Sequence, residues 1–284
     1  MDPVAALTQL GGIASLRELL GLTGRRRLRT AVAAGLVLSV ARDVYALPGA
    51  DAARLAAATV RGTVSHLSAA QHWQWKLKLP PARPTVTVPR RRSGLVACDA
   101  EVHWADLAAA DVVDGVTSRV RTVVDCARAY DFDVGLSVAD SALRAGVPPG
   151  DILEAALASP RTGRNKAIRV AEAADTRADN PFESVLRAIA SDVPGLRVVP
   201  QQWVGHVGRV DLLDARLGLV IEAESFEFHA DRASLDLDVR RYTAMARLGC
   251  SVVRFTWEEV MFDPDYVRAV LVDLVRLGPR VRTG

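Results

Sequence analysis

Over the first fifty residues the apolar positions fall into short helical stripes separated by caps and glycines. Asp2-Pro3 sets an N-cap ahead of proline at the first helical position, and Gly11-Gly12 ends the helix it opens. Ser15-Leu-Arg-Glu18 has the spacing of a capping box, and the helix behind it stops at Gly21. Thr23 is placed to cap a third helix, which Gly35 terminates. The period then shortens to two. Residues 36–40 read as a strand, 41–43 as a turn and 44–47 as a returning strand ahead of Pro48.

Residues 51–178 mix both periods. Asp51 opens an Ala-rich helix, and residues 65–75 form a second. A proline-rich bend (Pro80, Pro81, Pro84) leads to a strand over 85–88. Arg90, Arg91 and Arg92 then mark a turn, and 95–103 is the expected partner strand. Helices are expected over 117–130, 134–145, 150–158 and 165–174, and the polar stretch 175–180 reads as a linker. At Asn180-Pro181 the cap-and-proline pattern returns, followed by Phe182, Val185, Leu186 and Ile189 as the apolar stripe of a helix. A strand over 196–199 comes next, then two strands joined by a turn near 214–217. Asp231 is placed to cap a helix whose inner face is Leu235, Val239, Tyr242 and Ala246; a strand over 250–255 and a closing helix over 264–277 complete the chain. The fold class predicted is α/β and multi-domain. A winged helix-turn-helix spans 1–50, an α+β middle domain 51–178, and an α/β core 179–284.

Composition narrows the function classes. Half of the 284 residues are apolar, enough for well-formed cores and unlike a disordered chain. No apolar run reaches membrane-spanning length, and the first residues lack the pattern of a signal peptide. Cys98, Cys126 and Cys250 are odd in number and fit no metal-ligand spacing, so a reducing cytoplasm is the expected location. The net charge of +3 is uneven: residues 1–50 carry +3, whereas 181–284 carry −2. In a winged helix the third helix enters the major groove, and here its first turns carry Arg25, Arg26, Arg27 and Arg29, with Arg42 at the wing tip. DNA is therefore the expected partner of the N-terminal end, with arginines that position on phosphate rather than read sequence.

The C-terminal strands hold an anomaly. Asp211 sits on the first strand and Glu222 and Glu224 on the second, where alternation sends both glutamates to one face and the turn brings Asp211 beside Glu222. Carboxylates sharing a face repel unless protons or a cation neutralise them, and a divalent metal is the economical solution. Glu183, in the first turn of its helix, is accounted for equally by the helix dipole.

The order helix, three strands, helix, strand, helix, with Asp211 eleven residues ahead of Glu222-x-Glu224, resembles the PD-(D/E)xK nuclease core. Residues 181–275 resemble more closely the domain family related to very-short-patch-repair endonucleases. The matching residues are Pro181-Phe-Glu183-Ser, Gly208-Arg-Val-Asp211, Ile221-Glu222-Ala-Glu224, His229, Asp238-x-x-Arg241 and Val253-Arg-Phe-Thr-Trp257. The first fifty residues, with Val44-Tyr45-Ala46-Leu47-Pro48, resemble the winged helix of AbiEi-type antitoxins, and residues 51–160 the region that follows it there. The first resemblance implies a Mg²⁺- or Mn²⁺-dependent DNA endonuclease. Asp211 and Glu222 would be metal ligands, Glu224 a ligand or water orienter, and Glu183 a completion of the shell. His229 would be the general acid or base, and Arg241 a phosphate contact or a partner of Asp238. The departure is at Glu224, where the superfamily carries lysine; the repair endonucleases lack that lysine too and use histidine. The second resemblance implies the alternative, a non-enzymatic repressor or antitoxin with a cognate toxin as partner.

Overall fold

The computed structural model describes residues 1–95, 97–224 and 232–278, which form a mixed α/β chain with three sheets. Its contacts group into two compact units, Met1–Gln74 with Leu79–Asp125, and Trp75–Lys78 with Cys126–Gly284.

The first unit begins α1 (Pro3–Gln9), β1 (Ile13–Ser15), α2 (Leu16–Leu20), α3 (Arg25–Ala33), β2 (Leu38–Ala41), β3 (Val44–Ala46). The caps fall where the residues place them: Asp2 accepts from the amides of Val4 and Ala5, and Ser15 and Glu18 cap α2 reciprocally. Thr23 does not cap α3. Gly24 takes that position, and the Thr23 hydroxyl donates to the Met1 carbonyl at 2.8 Å, tying the chain start to the turn before α3. Strand β1 is absent from the sequence reading because three residues are too few to show alternation; it pairs antiparallel with β3 in a sheet ordered β1-β3-β2. Leu7, Leu19, Leu28 and Val37 fill the core between helices and sheet.

The unit continues with α4 (Ala52–Val60), β4 (Thr63–Val64), α5 (His66–His72), β5 (Thr85–Val88), β6 (Glu101–Trp104), β7 (Val112–Val113) and β8 (Val116–Thr117). These five strands form a sheet ordered β6-β5-β4-β8-β7. The partner of β5 is not a hairpin strand: β6 runs parallel to it, with Val86 opposite Val102. A parallel pair demands a long connection, so Arg90, Arg91 and Arg92 lie in a crossover and not at a hairpin tip.

Helix α6 (Arg119–Ala129) spans the join between the units. The second unit continues with α7 (Phe132–Arg144), α8 (Pro149–Ala158), α9 (Arg164–Ala173) and α10 (Pro181–Ser191). Gly135 lets α7 lie close to its neighbours, since a Cβ there would stand 3.1 Å from the Ala127 Cα and from Val170. The segment 175–180, read as a linker, is tied down: the Asp175 amide donates to Asp140 at 2.8 Å and the Asp179 amide to Glu183 at 2.9 Å. Asp140 and Arg187 form a buried ion pair between α7 and α10, with Nη2 2.8 and 2.7 Å from the two carboxylate oxygens. Arg187 Nη1 also donates to the Ala173 carbonyl, at 2.5 Å.

The last sheet is ordered β12-β11-β10-β9, from β9 (Val199–Val204), β10 (Gly208–Asp214), β11 (Leu219–Glu224) and β12 (Ser251–Thr256). The strand expected over 196–199 starts later and contains Pro200, which the edge position of β9 permits. β11 and β12 are parallel and joined through α11 (Arg232–Arg247). α10, α12 (Trp257–Phe262) and α13 (Pro264–Leu277) share a core with Leu212, Ile221 and Phe255. Met245 and Tyr242 of α11 pack with Val210, Val220 and Val252. Val239, expected inward, is 57% exposed; the inward residues of α11 include Met245 and, toward the strand ends, Arg241. Two expected positions in this segment, Asp231 and the side chain of Leu235, lie outside the described residues.

Removing one member of a buried ion pair leaves the other charge uncompensated. Asp140→Ala is expected to cost about 3–5 kcal/mol, read by urea denaturation, while Asp140→Leu with Arg187→Met restores most of it.

Candidate active site

The register of β10 on β11, Leu212 opposite Ile221, continues to place Asp211 opposite Glu222 on one face. The Asp211 amide lies 3.5 Å from Glu222 Oε2, and the Ala223 amide donates to Asp211 Oδ2 at 2.8 Å. Glu183 joins from the first turn of α10. Its position is set by the helix cap: the Glu183 amide donates to Asn180 Oδ1 at 3.0 Å, and Asn180 Nδ2 returns a bond to Glu183 Oε1 at 2.8 Å.

Gln201 links the two groups. Its Nε2 donates to Glu183 Oε2 at 2.8 Å and to Asp211 Oδ1 at 3.2 Å. The backbone at Gln201 has φ +53°, a left-handed conformation that is uncommon for a non-glycine residue and rarer still inside a strand. Gln201 stands in no recognisable motif; the only signal in the sequence is an amide following proline in a strand next to the acidic one.

The electrostatics follow from crowding. Burial, together with the nearby Asp211 charge, pushes Glu183 up to about 7 despite the amide of Asp179 donating to it. Glu222 is pushed up to about 8, again first by burial and then by Asp211, with Arg241 opposing the shift. Arg241 reaches in from α11, its Nη2 donating to Glu222 Oε1 at 2.8 Å and to the Arg209 carbonyl at 2.7 Å. Asp238, the other partner considered for Arg241, instead lies 3.9 Å from Arg254.

Glu224 shares the strand but not the cluster. Arg254 of β12 holds it through Nε at 2.8 Å and through Nη2, while its guanidinium sits 4.4 Å from the centre of the Tyr242 ring. Two arginines therefore stand against two of the three strand acids. A cleft of about 310 Å³ is lined by Glu222, Glu224 and Arg241 and also opens onto Asp211, Asp179 and Arg209. His229 lies outside the described residues.

Among the described residues no three His, Cys, Asp or Glu side chains are grouped as a metal cage. Asp211 and Glu222 nevertheless suit Mg²⁺, which takes one or two carboxylates and leaves its other positions to water and phosphate. The donor chemistry fits: hard oxygens, adjacent, in a buried setting beside the Asp211 charge that raises the affinity of Glu222 for a positive partner. Glu224, turned to Arg254, is not part of that pair.

In the other unit, Arg25, Arg26, Arg27 and Arg29 are all exposed on α3. Arg42, at the turn between β2 and β3, is 93% exposed and 4.0 Å from Asp43. These five guanidiniums line one helix and one hairpin tip, all within the first unit.

The raised carboxyl values set a pH dependence. A folded-state value above the unfolded one near 4.5 stabilises the fold most below that pH, and the contribution is lost as pH rises toward 7 to 8. Glu222→Gln removes one of these protons, so its melting temperature relative to wild type is expected to rise between about pH 5 and pH 8, by several degrees. A constant difference across that range would show that Glu222 titrates normally.

No family model matches the chain. It is 29% identical over 160 residues to two uncharacterized Mycobacterium tuberculosis proteins, MT2308 of strain CDC 1551 / Oshkosh and Rv2248 of strain H37Rv. The match covers 54% of this chain and spans 59% of the length of each relative. The crystal structure of RV2827C protein from Mycobacterium tuberculosis is similar at a TM-score of 0.40 and 13% identity, over 65% of this chain and 78% of that one.

Proposed function

We propose that this chain binds DNA through an N-terminal winged helix and hydrolyses phosphodiester bonds at a restriction-endonuclease-like centre in its second unit. The observation that carries the reading is the Asp211–Glu222 pair, set face to face on adjacent strands, bridged by Gln201 to Glu183 and open to a polar cleft. Buried acids with raised affinity for protons are what active sites assemble and cores avoid.

Asp211 and Glu222 would hold Mg²⁺ or Mn²⁺, which when bound supplies Lewis acidity to the phosphodiester and to the attacking water. Glu183, raised to about 7, exchanges a proton near neutral pH at a carboxylate oxygen that Gln201 orients. Arg241 supplies a cation where phosphate charge collects, and His229 takes the general acid or base role that the resemblance assigns. Arg25, Arg26, Arg27 and Arg29 on α3 and Arg42 on the hairpin grip the duplex backbone. A cytoplasmic location is the one that suits a DNA substrate.

A second reading, a non-enzymatic repressor or antitoxin with a toxin partner, is favoured by one observation. Arg241 and Arg254 already neutralise Glu222 and Glu224, and no lysine stands at the third motif position.

Plasmid and mismatched duplex incubated with Mg²⁺ or Mn²⁺ distinguish the two. Cleavage by the wild type that Asp211→Asn and Glu222→Gln abolish is expected, and wild-type cleavage no greater than theirs with either metal gives way to the repressor reading. Replacing Arg25, Arg26 and Arg27 together with Ala is expected to weaken DNA binding and to lower the salt slope by roughly 3, about one per lost phosphate contact. An unchanged slope removes these arginines from the interface.

A further inference from the structure

The carboxylate pair already has a cation, and it comes from the protein. Arg241 enters from α11, so its guanidinium lies between a helix and the strands that carry Asp211 and Glu222. Both of its hydrogen bonds run through one nitrogen, Nη2, leaving Nε and Nη1 without a hydrogen-bond partner among the described residues. Its side chain is 30% exposed, whereas that of Glu222 is 7% exposed, so the arginine has the accessible end of the pair. Arg254 is held differently, with two nitrogens on Glu224 and its guanidinium against the Tyr242 ring. Of these two arginines, Arg241 is the one that lines the cleft and whose contacts can be exchanged.

Charge shows what the exchange would be. One guanidinium carries half the charge needed to neutralise two carboxylates, whereas a divalent cation matches them. An arginine that loses its carboxylate in a cleft finds its best replacement in a phosphate, which it can bind through two nitrogens. We propose that Arg241 is an internal stand-in for the divalent cation: it holds Glu222 until a DNA phosphate draws it away, so that metal loading and phosphodiester binding reinforce each other. The inference rests on the nuclease-like reading of Asp211 and Glu222 and adds that the site binds metal more weakly when no DNA is present. By linkage, whatever DNA does for metal affinity, metal does equally for DNA affinity.

Titration calorimetry of the full chain with Mn²⁺ alone tests this, using wild type, Arg241→Gln, Arg241→Lys and Glu222→Gln. Arg241→Gln is expected to bind Mn²⁺ at least about fivefold more tightly than wild type, and Arg241→Lys, which keeps a cation but loses the planar fork, to fall between them. A short phosphorothioate duplex, which resists hydrolysis, should tighten Mn²⁺ binding to wild type by a similar factor and do much less for Arg241→Gln. Equal or weaker binding by both Arg241 variants overturns the stand-in role. In that event a loss of Mn²⁺ binding in Glu222→Gln leaves the metal site itself standing. Absence of Mn²⁺ binding in wild type and in both Arg241 variants overturns the stand-in role and the metal site together.

Discussion

Two carboxylates cannot face each other across neighbouring strands without help, and much of the second unit answers that constraint. Asp211 and Glu222 are opposed by strand register, which the hydrophobic alternation of β10 and β11 enforces; a slip by one residue would turn Leu212 and Ile221 out of the core. The repulsion can be met only by protons, a cation or donors. The structure uses all three kinds of group: raised proton affinity at Glu222, the guanidinium of Arg241, and amide donors from Ala223 and Gln201 to Asp211.

Helix α10 connects this cluster to the rest of its unit. Glu183 and Arg187 are one turn apart on it, the first bonded through Gln201 to Asp211 and the second buried against Asp140 of α7. A salt bridge buried this deeply adds little net stability over apolar packing, but it defines one orientation of α10 on the helices before it. That orientation sets where Glu183 can reach. The segment 175–180, tied to both Asp140 and Glu183, carries the same constraint through the backbone.

Caps and long periodic stripes were legible in the residues. The helix starts at Asp2, Ser15, Asp51 and Asn180 follow from local hydrogen bonds that sequence neighbours supply. The meeting of Asp211 with Glu222 was legible too, because strand alternation and a short turn suffice to place them. What could not be read depends on distant partners. Strands β1, β4, β7 and β8 are two or three residues long and exist only through pairing, and the parallel sense of β6 is a property of the sheet rather than of its own sequence. Likewise Arg241 and Asp238 share a helix face, yet each finds a partner on a strand instead of the other. Gln201 was missed because a left-handed turn of backbone aims it, and no pattern of apolar residues encodes that.

Pro200 and Gln201 together also shape the outer border of the sheet. β9 is an edge strand, the position at which a second molecule can add a strand of its own and begin an aggregate. Proline withholds one N–H from that border, and the left-handed residue beside it breaks the straight run of donors and acceptors. The dipeptide that points an amide at two acids thus also guards the sheet against self-association, and substitutions there are answerable to solubility as well as to chemistry.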